Sequence, residues 1–144
     1  MSNYRIQKII SESGMCSRRK AEILIIENKV KVNGNTAKIG DKANPLTDEI
    51  EVNGIKIIKD INPIVILLNK PRGIISSCFD ELGRKTILDL LPTKITKGLH
   101  PIGRLDYNSR GAILVTNNGE LTQRLTHPKF NHSKTYLVWV KGIP

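Results

Sequence analysis

Two Asn-Gly dipeptides, Asn33-Gly34 and Asn53-Gly54, constrain the first 60 residues more than any other feature. Alternating β-branched residues flank them: Val30 and Val32 before the first, Ile50/Val52 and Ile55/Ile57 around the second. Asn and Gly tolerate the positive φ that both central positions of a type I′ turn require, so each dipeptide predicts a β-hairpin. Ahead of them the period is helical. Ile6, Ile9, Ile10 and Ser13 share one face, and Gly14 suits the position just past a helix end. Ser17 suits the N-cap of a second helix running to about residue 27, with Ala21, Leu24, Ile25 and Asn28 along its inner side. Residues 1–60 thus read as two helices followed by a small antiparallel sheet.

Residues 61–144 read as a second unit. The run Lys59-Asp60-Ile61-Asn62-Pro63 has the composition of a short linker. An apolar strand over 64–68 leads through Lys70-Pro71-Arg72-Gly73 into an expected strand over 74–78. Thr86 can cap a short helix over 87–91 that Pro92 stops. A strand over 112–116, a turn at Asn117-Asn118-Gly119, a helix over 120–126 and a last strand over 135–140 complete the pattern. Strands and helices mixed with antiparallel hairpins make an α+β fold.

Charge narrows the function. The chain has 23 Lys+Arg against 13 Asp+Glu, a formal charge of +10, which favours a polyanionic partner, most simply nucleic acid. Aromatic residues are only 4%, which argues against extended base stacking on aromatic platforms. Cys16 and Cys78 form no CxxC pair, so a zinc site is not expected and a reducing compartment is. His100, His127 and His132 lack metal-ligand spacing. No apolar run nears the roughly 20 residues of a membrane span, and the N-terminus lacks a secretory pattern. The expected location is the cytoplasm, with no membrane partner.

Ser17-Arg18-Arg19-Lys20 places three cations on the first turn of a helix, the end where the macrodipole favours anions. Free N–H groups plus three cations suit a phosphate. A solvated basic face is the other reading of the same residues. With Arg5-Ile6-Gln7-Lys8-Ile9-Ile10 before it, GMCSRRKAE around it and Val30-Lys31-Val32-Asn33-Gly34 after it, residues 3–50 resemble an S4 RNA-binding domain. The resemblance implies that Arg5, Ser17, Arg18, Arg19, Lys20, Lys31 and Asn33 contact structured RNA, mostly at phosphates.

In the second unit, Asp106 sits between Arg104 and Arg110 in Gly103-Arg104-Leu105-Asp106-Tyr107-Asn108-Ser109-Arg110-Gly111. Asp106 and Glu120 are the two acids of residues 93–144, against eight basic residues. A carboxylate on a surface that otherwise excludes acids is either a nucleophile or electrostatic stabiliser, or an Asp satisfied by a neighbouring arginine.

The string GRLDYNSRGAILVTNNGELTQRLTHP, with LLNKPRGIISS upstream and KTYLVWVKG downstream, is similar to the catalytic segments of the RsuA/RluB/RluE/RluF family of ribosomal RNA pseudouridine synthases. An S4 domain in front is that family's usual layout. The resemblance implies isomerisation of a uridine in ribosomal RNA, with Asp106 as the catalytic carboxylate and no metal, nucleotide or redox cofactor. It implies Tyr136 stacking on the uracil, and Arg104 bracing the RNA or, alternatively, pairing with Asp106. Lys70, Arg72, Arg110 and Lys134 would hold phosphates; Trp139 and Tyr107 read as packing or rim residues. Ser109 stands where the family usually has Thr. The family pattern also includes a basic motif whose arginine pairs with the catalytic Asp, and an apolar residue closing the uracil pocket. No residue here fills either role. The expectation is therefore an S4 domain over 1–60 and the N-terminal portion of a catalytic domain over 61–144. Such a chain would bind ribosomal RNA, show little isomerase activity alone, and be completed by a further segment or chain.

Overall fold

The structure, a computed structural model, describes residues 3–57 and 62–142. Lys59, Asp60 and Ile61 of the expected linker lie outside the described residues. Two buried apolar clusters divide the chain at that point. One holds Ile6, Ile9, Ile10, Ala21, Leu24, Ile25, Val30, Ala37, Ala43, Ile50 and Val52; the other holds Ile74, Ile87, Leu99, Ile113 and Val115.

In the first part, β1 (Tyr4–Arg5) leads directly into α1 (Ile6–Glu12), which ends at Ser13 and Gly14. Gly14 has φ +72°, the left-handed geometry that closes a helix. The second helix, α2 (Arg18–Ile26), is capped by Ser17, whose side chain accepts from Lys20 N. Asn28 does not line its inner side as expected. It is exposed at φ +57° and turns the chain out of the helix, a conformation Asn tolerates better than other residues. Strands β2 (Val30–Val32) and β3 (Asn35–Thr36) follow, joined by Asn33 and Gly34 at φ +49° and +80°. Next come β4 (Lys42–Ala43), β5 (Ile50–Val52) and β6 (Ile55–Lys56), the last two joined by Asn53 and Gly54 at φ +51° and +77°. Both hairpins form as the Asn-Gly turns require. The sheet order is β3-β2-β5-β6, and β1 pairs separately with β4.

The second part centres on an antiparallel sheet of β7 (Val65–Lys70), β8 (His100–Ile102) and β9 (Gly111–Thr116), in the order β7-β9-β8. Leu68 lies opposite Ile113, and Asn69 opposite Ala112. Successive residues face opposite sides, so Leu68 and Ile113 point inward while Leu67, Asn69 and Ala112 face outward. A 3-10 turn over Ile87–Leu90 packs Ile87 into the core, and α3 (Gly119–Thr126) follows β9. The Asn118 side chain caps α3 by accepting from Glu120 N and Leu121 N.

Two expected strands differ. Residues 74–78 form no ladder. Ile75 makes a single parallel bridge to Thr86, and Ser76 turns its hydroxyl onto the backbone of Leu105. Residues 135–140 form no strand among the described residues, and Tyr136, Leu137, Val138, Trp139 and Val140 are exposed.

Candidate active site and RNA interface

The loop joining β8 to β9 carries Asp106, and its backbone is pinned from one side by residues 70–76. Lys70, at the end of β7, is wholly buried. Its Nζ donates to Pro71 O at 3.1 Å, Asp106 O at 3.0 Å and Ser109 O at 2.8 Å. An ammonium group has three donors and no acceptor, so three carbonyls satisfy it fully. Burial lowers the Lys70 pKa, and the nearby negative charge of Asp106 works against that shift. Ser76 adds a reciprocal pair: Leu105 N donates to its Oγ at 3.1 Å, and Oγ donates to Leu105 O at 2.8 Å. Gly73 N donates to Tyr107 O at 2.8 Å.

The backbone of residues 105–109 is thus held while the Asp106 side chain stays free. Asp106 is exposed, and among the described residues its carboxylate makes no hydrogen bond and no ion pair within 4.0 Å. The reading of Asp106 as satisfied by a neighbouring arginine is therefore not realised, and Arg104 does not pair with it. A backbone fixed by its neighbours with an unengaged carboxylate at its apex is suited to meeting a ligand.

Beside this loop lies a cleft of about 830 Å³. Arg72, Arg104, Arg110 and Lys134 line it together with Tyr136 and Trp139. Leu105 and Asn108, which bracket Asp106, are on its wall; Asp106 itself is not. The structure therefore gathers Arg72, Arg104, Arg110, Lys134 and Tyr136 around one opening next to Asp106. Lys70 is corrected: it holds the loop from beneath and cannot reach a phosphate. The resemblance implies a phosphate contact, which needs an exposed ammonium, the usual state of a lysine. The one available signal was its place at the end of an apolar strand, where the alternation of β7 turns it inward.

In the first part, Arg5, Arg18, Arg19, Lys20 and Lys31 are exposed and in no ion pair among the described residues. Ser17 uses its hydroxyl oxygen for the α2 cap, 3.2 Å from Lys20 N. Asn33, expected to contact RNA, is exposed and also braces the fold. Its amide donates to Asp48 Oδ1 at 3.1 Å and accepts from Glu49 N at 2.8 Å, bracing the hairpin against the 48–49 segment. Arg18 opens onto a separate cleft shared with Lys8, Glu12, His100 and Glu120.

The histidines make ordinary hydrogen bonds: His100 to Thr122 Oγ1 at 2.7 Å, His127 accepting from Lys129 N at 3.2 Å, and His132 to Arg124 O at 3.0 Å. Sequence reasoning missed Ser76 and read Asn117 only as part of a turn. Asn117 accepts from Ile64 N and donates to Asn62 O, both at 2.9 Å, fastening the start of β7 to the β9–α3 turn.

A helix-hairpin unit with exposed cations stands, in sequence, ahead of a sheet whose β8–β9 loop displays an unengaged carboxylate beside a cation-lined cleft. Comparison with known proteins sharpens this. The RNA pseudouridylate synthase family profile matches residues 64–144, and the S4 domain profile matches residues 5–50. The chain belongs to the RNA pseudouridylate synthase family. It is 49% identical over 141 residues to ribosomal large subunit pseudouridine synthase B of Bacillus subtilis (strain 168), covering 97% of this chain and 57% of that protein. It is 42% identical over 141 residues to dual-specificity RNA pseudouridine synthase RluF of Escherichia coli (strain K12), covering 96% of this chain and 47% of that one. A crystal structure of a pseudouridylate synthase superposes with a TM-score of 0.50 at 31% identity, covering 88% of this chain and 54% of that chain. The chain spans about half the length of these relatives.

Proposed function

We propose that this chain forms the RNA-binding domain, residues 1–60, and the leading part of the catalytic domain, residues 61–144, of a cytoplasmic ribosomal RNA pseudouridine synthase. The observation that carries the reading is Asp106: an exposed carboxylate on a backbone held by Lys70 and Ser76, beside a cleft lined by Arg72, Arg104, Arg110, Lys134 and Tyr136. In the isomerisation, the N1–C1′ bond of a uridine breaks, the base turns, and a C5–C1′ bond forms. The C5 proton leaves and N1 gains one. Asp106 supplies the nucleophile, at the sugar or at the base, and the base is both leaving group and returning nucleophile. The Tyr136 ring supports the uracil, Arg104 braces the RNA from which the uridine is turned out, and the remaining cations hold phosphates.

The exposed strip Tyr136–Val140 and the outward residues Val65 and Leu67 support a further element of the reading. In the working enzyme more polypeptide covers this surface, consistent with relatives of which this chain spans only 57% and 47%. Such a strip left bare is an interaction liability.

Asp106→Ala in the full-length enzyme tests the catalytic assignment, with carbodiimide mapping of pseudouridine in ribosomal RNA as the readout. Loss of modification with RNA affinity retained supports the reading; unchanged modification sinks it. Robust isomerisation by these 144 residues alone would refute the need for covering polypeptide.

A further inference from the structure

Residues 77–85 form a tight turn that sets two large apolar side chains in water: Phe79 is 74% exposed and Leu82 76%. The turn is tied to itself. Gly83, at φ +70°, donates its N–H to Asp80 O at 3.1 Å. Arg84 grips Asp80 through Nε to Oδ2 at 3.0 Å and Nη2 to Oδ1 at 2.7 Å, and its backbone N reaches Oδ2 at 3.0 Å. Ser77 Oγ donates to Phe79 O at 2.8 Å.

Both ends of the turn are fastened near the Asp106 loop. Ser76, just before it, exchanges hydrogen bonds with Leu105. Lys85, at its end, accepts at its carbonyl from Ile75 N at 3.0 Å. Holding a segment in a shape that leaves a Phe and a Leu exposed adds nothing to the core and costs chain entropy. The turn adjoins, through Ser76 and Leu105, the loop that carries Arg104 and Arg110, and the cations of these segments indicate what its side chains meet. Arg72, Lys85, Arg104 and Arg110 are exposed and unpaired among the described residues. Asp80 is matched by Arg84, and Glu81 is the acid left on the tip. The cations favour a phosphate backbone alongside, while Glu81 keeps phosphates off the tip itself. Base faces are the part of an RNA that the tip can then meet.

We propose that Phe79 and Leu82 form an apolar wedge that enters RNA beside the nucleotide presented to Asp106, Phe79 stacking on a neighbouring base and Leu82 filling the opened step. The proposal rests on the reading of the chain as a uridine-modifying enzyme and adds the residues that keep the flanking stack open. A nucleotide turned out of a stack leaves a gap, and apolar side chains inserted between bases hold such steps apart.

The test uses this chain and a ribosomal RNA stem-loop panel carrying 2-aminopurine beside each uridine in turn. Binding of the unaltered chain is expected to raise 2-aminopurine emission at one position. Phe79→Ala with Leu82→Ala is expected to abolish that rise and weaken binding about tenfold, within the range for loss of one stacked base. Phe79→Tyr is expected to restore both. Equal affinity and equal emission for the unaltered chain and the double variant, with circular dichroism confirming that both are folded, overturn the wedge and leave a protein surface as its occupant. Absence of any RNA binding by the unaltered chain overturns the RNA reading itself.

Discussion

Lys70 shows how one buried side chain can organise a candidate active loop. Removing its ammonium leaves the carbonyls of Pro71, Asp106 and Ser109 without their donor. Each orphaned buried acceptor costs about 1–3 kcal/mol where water cannot replace the donor. Lys70→Met keeps the aliphatic stem, so its effect isolates the missing hydrogen bonds. It is expected to lower unfolding free energy in urea by about 2–4 kcal/mol, whereas Lys94→Met, on an exposed side chain, stays within about 0.5 kcal/mol. A lysine on phosphate behaves oppositely. Its removal spares stability and reduces the salt slope of RNA binding by about 0.7–0.9. A stable Lys70→Met variant with a reduced slope would return Lys70 to the RNA surface.

At the level of elements, Gly14 and Gly34 share a left-handed backbone but differ in surroundings. A Cβ on Gly34 meets nothing within 4 Å, so Gly34→Ala carries only the conformational cost, about 1–2 kcal/mol. A Cβ on Gly14 would stand 2.6 Å from Lys97 Cγ and 3.1 Å from Gly98 N. Gly14→Ala is therefore expected to lower the melting temperature further than Gly34→Ala; equal shifts would mean that α1 does not abut the segment before β8. The 77–85 turn has its own pH signature. Arg84 holds the Asp80 carboxyl down to about 2, chiefly through its side-chain hydrogen bonds. The usual carboxyl value is 3.8, so the ionised form favours the folded turn. That contribution is complete above the usual value and is lost as pH falls through about 2. The Arg84 Nε–H resonance is expected to stay put down to about pH 3 and move with a midpoint near 2, and a midpoint near 3.8 would deny the pair. The elements legible in sequence were those with local causes. Asn-Gly turns, the Ser17 and Asn118 caps and the Ile6/Ile9/Ile10 face depend on neighbours a few residues away. Strand β1 was not legible, since two residues carry no period and its partner Lys42–Ala43 lies far along the chain. Residues 74–78 read as a strand because Ile74 and Ser76 are buried, yet the hydrogen bonds of Ile75 go to residues 85 and 87 and those of Ser76 to residue 105.

Over the whole molecule, two exposed sets of cations stand out from the 23 Lys+Arg, one on Arg5, Arg18, Arg19, Lys20 and Lys31, the other around the Asp106 cleft. The candidate site was readable as a list of residues, but only the fold separates cations that face solvent from Lys70, which faces carbonyls. Phosphate contacts by both sets act on one quantity, the slope of log K against log salt, because each neutralised phosphate releases counterions. Arg18→Ala with Arg19→Ala is expected to weaken binding to ribosomal RNA and flatten that slope by about 0.7–0.9 for each phosphate no longer neutralised. Arg72→Ala with Arg110→Ala is expected to do the same from the other set. The sets are separate patches, so their effects on binding free energy should add within about 0.5 kcal/mol when one RNA engages both. Filter binding over a range of about 50 to 300 mM KCl measures the slopes of the unaltered chain, both double variants and the quadruple variant. An unchanged slope for the first pair removes the α2 terminus from the RNA surface. A quadruple variant no worse than either pair would mean that RNA occupies one patch at a time.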